Sequence, residues 1–212
     1  MSKQQEDRRA KYCIDHMTPP PVYLQQVERN TYLKTMAPQM LAGTLQGRFL
    51  SMISRLLRPK RVLEIGTFTG YSTLCLAEGL RPDGTLHSIE INPELQAIIL
   101  QHWHLSPYKA QMQLHIGDAL DIIPTISGNF DLVFIDAAKE LYAKYYDLLI
   151  DKIPSGGVIL VDNILWDDKV LEDRPDRETQ SIMAFNKKVL NDTRLEVVPL
   201  PIRDGISIIR VK

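Results

Sequence analysis

From Arg61 onward, short apolar runs alternate with longer segments whose apolar residues recur at helical spacing. The strand-like runs are 61–66, 85–90, 112–117, 130–136 and 157–163, and the helix-like segments between them are 71–80, 93–103, 119–126 and 139–151. Such alternation predicts βαβ units and a parallel sheet with helices on both faces. A further helix is expected near 177–191. After it, Leu195–Ile202 and Gly205–Val211 are split only by Arg203 and Asp204, which predicts an antiparallel hairpin. Pro199 and Pro201 cannot donate to a ladder and push their strand toward the sheet edge. Before Arg61 the pattern is helical throughout. Residues 3–16 read as a short amphipathic helix or a frayed end, stopped by Thr18-Pro19-Pro20-Pro21. Val22–Lys34 reads as a second helix. Pro38 opens a third, with Met40, Leu41, Leu45, Phe49, Met52, Ile53, Leu56 and Leu57 at helical spacing, and Pro59 closes it. The expected organisation is one domain, with an N-terminal helical segment over 1–58 and an α/β core over 59–212.

Composition adds little to this picture. The 212 residues are 44% hydrophobic and 24% charged, with a net charge of −1, so no global field favours nucleic acid or membrane. Cys13 and Cys75 lack disulfide or metal spacing, which favours a reducing, cytoplasmic setting. No apolar run approaches the length of a membrane span, and the polar start is unlike a secretory signal.

The candidate chemistry is concentrated at the ends of the apolar runs. Arg61-Val-Leu-Glu-Ile-Gly-Thr-Phe-Thr-Gly-Tyr-Ser72 reads as a buried strand, a glycine turn and the start of a helix. Ligands of open α/β sheets bind outside the carboxyl ends of the strands, where this turn would lie. The dinucleotide fingerprint fails, because Phe68 stands two residues after Gly66, and no phosphate-binding G-x-x-x-x-G-K-[ST] occurs. Glu64 would repel a pyrophosphate but suits a cationic ligand. Glu90 closes the next run, 24 residues after Gly66, where an acid meets ribose hydroxyls in such folds. The blander reading leaves both acids as strand ends facing water. Asp118 can accept from an adenine amino group, with Ala119 beside the ring, or can simply cap the next helix. Phe130–Asp136 ends in a carboxylate, and Gly157–Asn163 ends in a carboxylate and an amide. If those strands are neighbours, Asp136, Asp162 and Asn163 offer three hard oxygen donors, suited to Mg²⁺, Ca²⁺ or Mn²⁺ rather than zinc. Lys139, three residues after Asp136, can reach back over the same rim as a general base, since a nearby cation eases loss of its proton. The five histidines show no convergence: His102 and His104 fall on different helix faces, and His16, His87 and His115 are isolated. All five read as structural. In the loop Ile164–Pro175, Trp166 can stack on a planar acceptor or serve as packing.

Glu64-Ile-Gly-Thr-Phe-Thr-Gly-Tyr-Ser72 with Ile89-Glu90 resembles the S-adenosylmethionine-binding half of class I methyltransferases. More narrowly, with the later strand ends matching in order, the chain from about Met40 onward is similar to the cation-dependent O-methyltransferases, the group holding catechol and caffeoyl-CoA O-methyltransferases. The resemblance implies a Rossmann-like, doubly wound, mostly parallel seven-stranded sheet with a C-terminal antiparallel hairpin. It implies S-adenosylmethionine contacts from Met40, Glu64, Gly66, Thr67, Ser72, Glu90, Ile91, Asp118, Ala119 and Asp136. It also implies a divalent metal on Asp136, Asp162 and Asn163, Mg²⁺ first among the candidates, Lys139 as catalytic base, and a homodimer. The implied reaction is O-methylation (EC 2.1.1.-) of a small catechol-like acceptor. An alternative acceptor is a hydroxylated uridine in tRNA, with Arg48, Arg55, Arg58, Lys60 and Arg61 as a basic face. A third reading is a non-catalytic cofactor binder, against which Asp136, Lys139, Asp162 and Asn163 argue.

Overall fold

The computed structural model describes residues 3–212. Seven strands form one sheet: β1 (Arg61–Ile65), β2 (Thr85–Glu90), β3 (Met112–Ile116), β4 (Leu132–Ile135), β5 (Val158–Asp162), β6 (Leu195–Leu200) and β7 (Ile206–Val211). Their spatial order is β3-β2-β1-β4-β5-β7-β6. The first five are parallel, and β7 runs antiparallel to both β5 and β6. The expected hairpin is present, and the proline-bearing β6 is an edge strand, where a missing N–H is harmless.

Eight α-helices accompany the sheet among the described residues: α1 (Lys3–Asp15), α2 (Val22–Lys34), α3 (Gly43–Leu57), α4 (Tyr71–Ala77), α5 (Gln96–Trp103), α6 (Ala119–Ile122), α7 (Tyr142–Leu149) and α8 (Arg177–Leu190). Pro38 opens only a 3₁₀ turn, Pro38–Met40, and the helix proper begins at Gly43. Asn92 caps the turn at Pro93, accepting from the Glu94 N–H. The run 130–136 is longer than its strand. Asp131 turns its carboxylate onto the backbone N–H groups of Lys60 and Arg61, and Asp136 lies just past the last paired residue.

Alternation along the strands divides the core between two faces. Leu63, Ile65, Val133, Ile135, Ile159 and Val161 pack with Tyr142 and Tyr146 of α7 and Phe185 of α8. Val62, Leu132, Phe134 and Leu160 pack with Leu24 of α2, Leu50 of α3, Leu74 of α4 and Trp103 of α5. Helices α2 and α3 therefore share the core of one sheet face. They are also tied electrostatically. Glu78, just past α4, accepts from Tyr23, Arg48, Ser51 and Arg55. Burial works against its charge, but these donors outweigh it and hold the carboxyl at about 2.

This arrangement alters two sequence expectations. The basic residues near 48–61 are largely engaged: Arg48 and Arg55 on Glu78, Lys60 on Asp83, and Arg61 on the Ser127 carbonyl and over the Phe130 ring. The histidines on β2 and β3 are not isolated. His87 Nδ1 and His115 Nε2 lie 3.0 Å apart, because parallel pairing sets the two strands side by side. Sequence separation hid this contact.

Candidate active site

In this sheet the strand order reverses between β1 and β4, and a cavity of about 1150 Å³ opens at the carboxyl ends around that point. The β1 turn makes it possible. Gly66 has φ +97°, and a Cβ there would stand 1.8 Å from the carbonyl oxygen of Asp136. Only glycine lets the two strand ends approach this closely. The same turn places Phe68 in the left-handed region, at φ 51°.

One end of the cavity is lined by Met40, Gly66, Thr67, Ser72, Glu90, Ile91, Asp118 and Ala119. Glu90, at the end of β2, accepts from the N–H groups of Phe68 (2.7 Å) and Asn92 (2.9 Å). Two backbone donors fix its carboxylate and leave lone pairs for a hydroxyl-bearing ligand. Asp118 caps α6 by accepting from Leu120 N–H, and it lines the cavity as well. Met40 and Ile91 are exposed on the rim, and neighbouring Met36 is fully exposed.

The blander reading of Glu64 as a strand end facing water does not hold. The residue is fully buried beneath the turn and does not line the cavity. Register puts Ser88 directly opposite it on β2, and Ser88 Oγ donates to Glu64 Oε2 at 2.5 Å; Thr73 Oγ1 of α4 donates to the same oxygen. Ser88 also pairs with Thr67, so the acid and the turn share one network. Burial raises the Glu64 carboxyl to about 7 despite these donors, and its Oε1 has no partner.

The other end carries Asp136, Lys139, Asp162, Asn163 and Trp166. β4 and β5 are neighbours, so the two strand-end acids reach the same rim. Lys139 Nζ donates to Asp136 Oδ1 at 2.9 Å. Asp162 accepts from Gln46 Nε2 at 2.6 Å and from the Asn163 N–H at 2.8 Å. Burial raises the Asp162 carboxyl, and the charge of Asp136 adds to the rise. Asn163 has φ 57°, and its Nδ2 donates to Asp204 at 2.9 Å. Among the described residues no three His, Cys, Asp or Glu side chains form a metal cluster; the donors gathered here are two carboxylates and an amide. The Trp166 ring has the ammonium groups of Lys139 and Lys169 5.7 and 5.6 Å from its centre, and its buried Nε1 is unpartnered.

Gln46, Arg203 and Asp204 also line the cavity, and pattern reading did not single them out. Gln46 is 116 residues from the aspartate it touches, and Arg203 grips the carbonyls of Leu41 and Ala42 from 162 and 161 residues away. Arg203 and Asp204 read in sequence only as a hairpin turn. None of Arg48, Arg55, Arg58, Lys60 and Arg61 lines the cavity.

Known proteins share this architecture. A family model described as O-methyltransferase matches residues 15–212. A caffeoyl-CoA O-methyltransferase of Mesembryanthemum crystallinum is 35% identical over 184 residues, covering 81% of this chain and 72% of that one. Among solved structures, the SAH-bound Podospora anserina methyltransferase PaMTH1 superposes with a TM-score of 0.92 at 27% identity, covering 100% of this chain and 97% of the other. The O-methyltransferase TomG of Streptomyces achromogenes, involved in tomaymycin synthesis and solved in complex with SAM, gives 0.91 at 26% identity with full coverage of both chains. With the seven-stranded sheet, the glycine turn and the cavity at the strand reversal already in place, these matches establish that the chain belongs to the O-methyltransferase family, S-adenosylmethionine-dependent enzymes of the class I methyltransferase fold.

Proposed function

We propose that this enzyme uses a divalent cation and methylates a hydroxyl that has a second oxygen beside it, as in a catechol-like small molecule. The observation that carries the reading is the joint placement of Asp136, Lys139, Asp162 and Asn163 on the cavity that also holds Gly66 and Glu90. Two carboxylates, one of them buried and raised by the other's charge, form a donor set short of positive charge. Lys139 offsets part of that at Asp136, and a hard cation on Asp136, Asp162 and Asn163 would offset the rest.

S-adenosylmethionine supplies a methyl group already activated on a sulfonium, and a divalent ion supplies a charge that lowers the pKa of a nearby hydroxyl. The protein's part is placement and proton handling. Glu90 receives ribose hydroxyls, and Asp118 and Ala119 border the adenine. Met40, Thr67, Ser72 and Ile91 line the cofactor end, and Glu64 complements the sulfonium's charge from beneath the turn. Asp136, Asp162 and Asn163 fix the ion. Lys139, held at Asp136, is the base that takes the acceptor's proton at Nζ. Trp166 and its loop wall the acceptor side, with the ring held against Lys139. A homodimer and a cytoplasmic setting accompany this reading. Exposed Met52 and Leu56 on α3 and the two free cysteines support them, and no helix among the described residues is long and apolar enough to cross a membrane.

The test is methyl transfer to a catechol panel with Mg²⁺. Lys139→Ala is expected to lower kcat by about 10²–10⁴-fold with little change in S-adenosylmethionine affinity, and EDTA is expected to abolish turnover. Transfer that persists in EDTA removes the ion from the mechanism. Undermodified tRNA serves as the comparison acceptor and is expected to be inert, given that the basic residues near 48–61 lie off the cavity.

A further inference from the structure

The β6–β7 turn reaches over the acceptor end of the cavity and brings Asp204 to Asn163. Both carboxylate oxygens of Asp204 are engaged. Oδ2 accepts from Asn163 Nδ2 at 2.9 Å, and Oδ1 accepts from the backbone N–H of Asp167 at 2.5 Å. With both oxygens held, the carboxylate has no freedom to rotate. An ionised carboxylate only accepts, so the nitrogen end of the Asn163 amide must face it. The end left over is Oδ1. The backbone beneath is fixed as well, by the left-handed φ of 57° and by the Asn163 N–H on Asp162 Oδ1.

This matters because an asparagine amide is nearly symmetrical in shape and opposite in chemistry at its two ends. The oxygen can ligate a hard cation, whereas the NH₂ presents two hydrogens and repels one. We propose that Asp204 is a positioning residue that sets the orientation of the Asn163 amide, so that Oδ1 faces a cation held with Asp136 and Asp162. This rests on the divalent-cation reading given above. Asp204 does not ligate; it selects which atom of its neighbour does. Such outer partners of ligands are worth about 10–100-fold in metal affinity.

The test is Mn²⁺ binding to the full chain, followed by electron paramagnetic resonance in the presence of saturating SAH. SAH stoichiometry counts the folded molecules, so Mn²⁺ affinity is taken per SAH-competent site. Asp204→Asn keeps the shape but offers one acceptor where two are needed. Its own NH₂ then faces either Asp167 N–H or Asn163, and in the second case the Asn163 amide turns over. Mn²⁺ affinity is expected to fall at least about tenfold with SAH affinity unchanged. The discriminating variant is Asn163→Asp combined with Asp204→Asn. A carboxylate at 163 has two equivalent oxygens and needs no orienting, and the amide at 204 donates to it. Mn²⁺ affinity in the double variant should return to within roughly threefold of wild type. Wild-type affinity in Asp204→Asn would overturn the proposal. So would an equal loss in the single and double variants, which would mean that Asp204 acts only by holding the turn. Absence of Mn²⁺ binding by wild type would overturn the cation reading, and the positioning role with it.

Discussion

At Glu64 the requirements of folding and of ligand binding conflict. The side chain is fully buried on β1, held by Ser88 and Thr73, and its carboxyl is raised to about 7 because burial outweighs those donors. A raised acid binds its proton more tightly in the folded chain than in the unfolded one. Its contribution is therefore complete below about 4.5 and is lost as pH rises through about 7. A cation placed above the turn reverses this preference by favouring the ionised form. Cofactor uptake and proton release are then linked. At pH 7, binding of S-adenosylmethionine should release up to about half a proton per site, since a group at its pKa is half protonated. SAH, which lacks the sulfonium charge, should release far less. Calorimetry in buffers of different ionisation enthalpy measures the difference, and Glu64→Gln should erase it. Equal proton release with both ligands would separate Glu64 from the cofactor's charge.

Between elements, the sheet register creates interactions that no single element announces. His87 and His115 meet across β2 and β3, with Phe130 edge-on to His87. Burial lowers the His87 ring to about 4, helped by the charges of His115 and Arg61, and burial lowers His115 as well. For a base, a lowered pKa means the folded state resists a proton that the unfolded state accepts near 6.5. Stability contributed by the pair is full above about 6.5 and declines as pH falls toward about 4. Urea unfolding at several pH values, compared between wild type and His87→Gln, should show the variant with the shallower decline. The expected difference is on the order of 1 kcal/mol, less than a fully sealed pair would give, because His115 keeps contact with water. A variant with the same slope would show that the pair is electrostatically silent. The comparison must be made by difference, because Glu64 acts in the opposite sense over much of the same range.

The same scale separates what the sequence could reveal from what it could not. Strand ends are legible because each is bounded by its own apolar run. Gly66, Glu90, Asp118, Asp136, Asp162 and Asn163 could therefore be placed on one side of the sheet before any coordinates. The hairpin and its edge position followed from Arg203-Asp204 and two prolines. Gln46, Asp204 and the histidine pair were illegible for the opposite reason. Their roles depend on contacts spanning 116, 41 and 28 residues, which periodicity does not carry. The depth of Glu64 was not legible, because an acid near the end of an apolar run reads equally as facing water unless its neighbours Ser88 and Thr73 are seen to close over it.

Across the whole molecule, the cofactor end and the acceptor end are joined by the segment leading into α3. Arg203 of the β6–β7 turn donates to the carbonyls of Leu41 and Ala42, and Gln46, a few residues on, holds Asp162. The rim carrying Met40 is thus fastened to the β6–β7 turn and to the end of β5. Ligand binding should stabilise this assembly as a unit. SAH at about 100 times its Kd adds about 2.7 kcal/mol. For a chain of this length that corresponds to a rise in Tm of about 5–11 °C, at about 2–4 °C per kcal/mol. Arg203→Met keeps the apolar stem and removes the donors. Hydrogen bonds from a charged donor contribute about 1.5–3 kcal/mol each, and if only half of one such bond serves the bound rim, SAH affinity falls several-fold. At fixed ligand the Tm rise should then shrink by about 2–4 °C, for a loss of about 1 kcal/mol, on top of a fall in the unliganded Tm, since both hydrogen bonds are present without ligand. Differential scanning fluorimetry with and without SAH reads both quantities. An Arg203→Met protein with a full ligand-induced rise would mean that the two ends of the cavity are assembled independently, and that the clamp serves the hairpin alone.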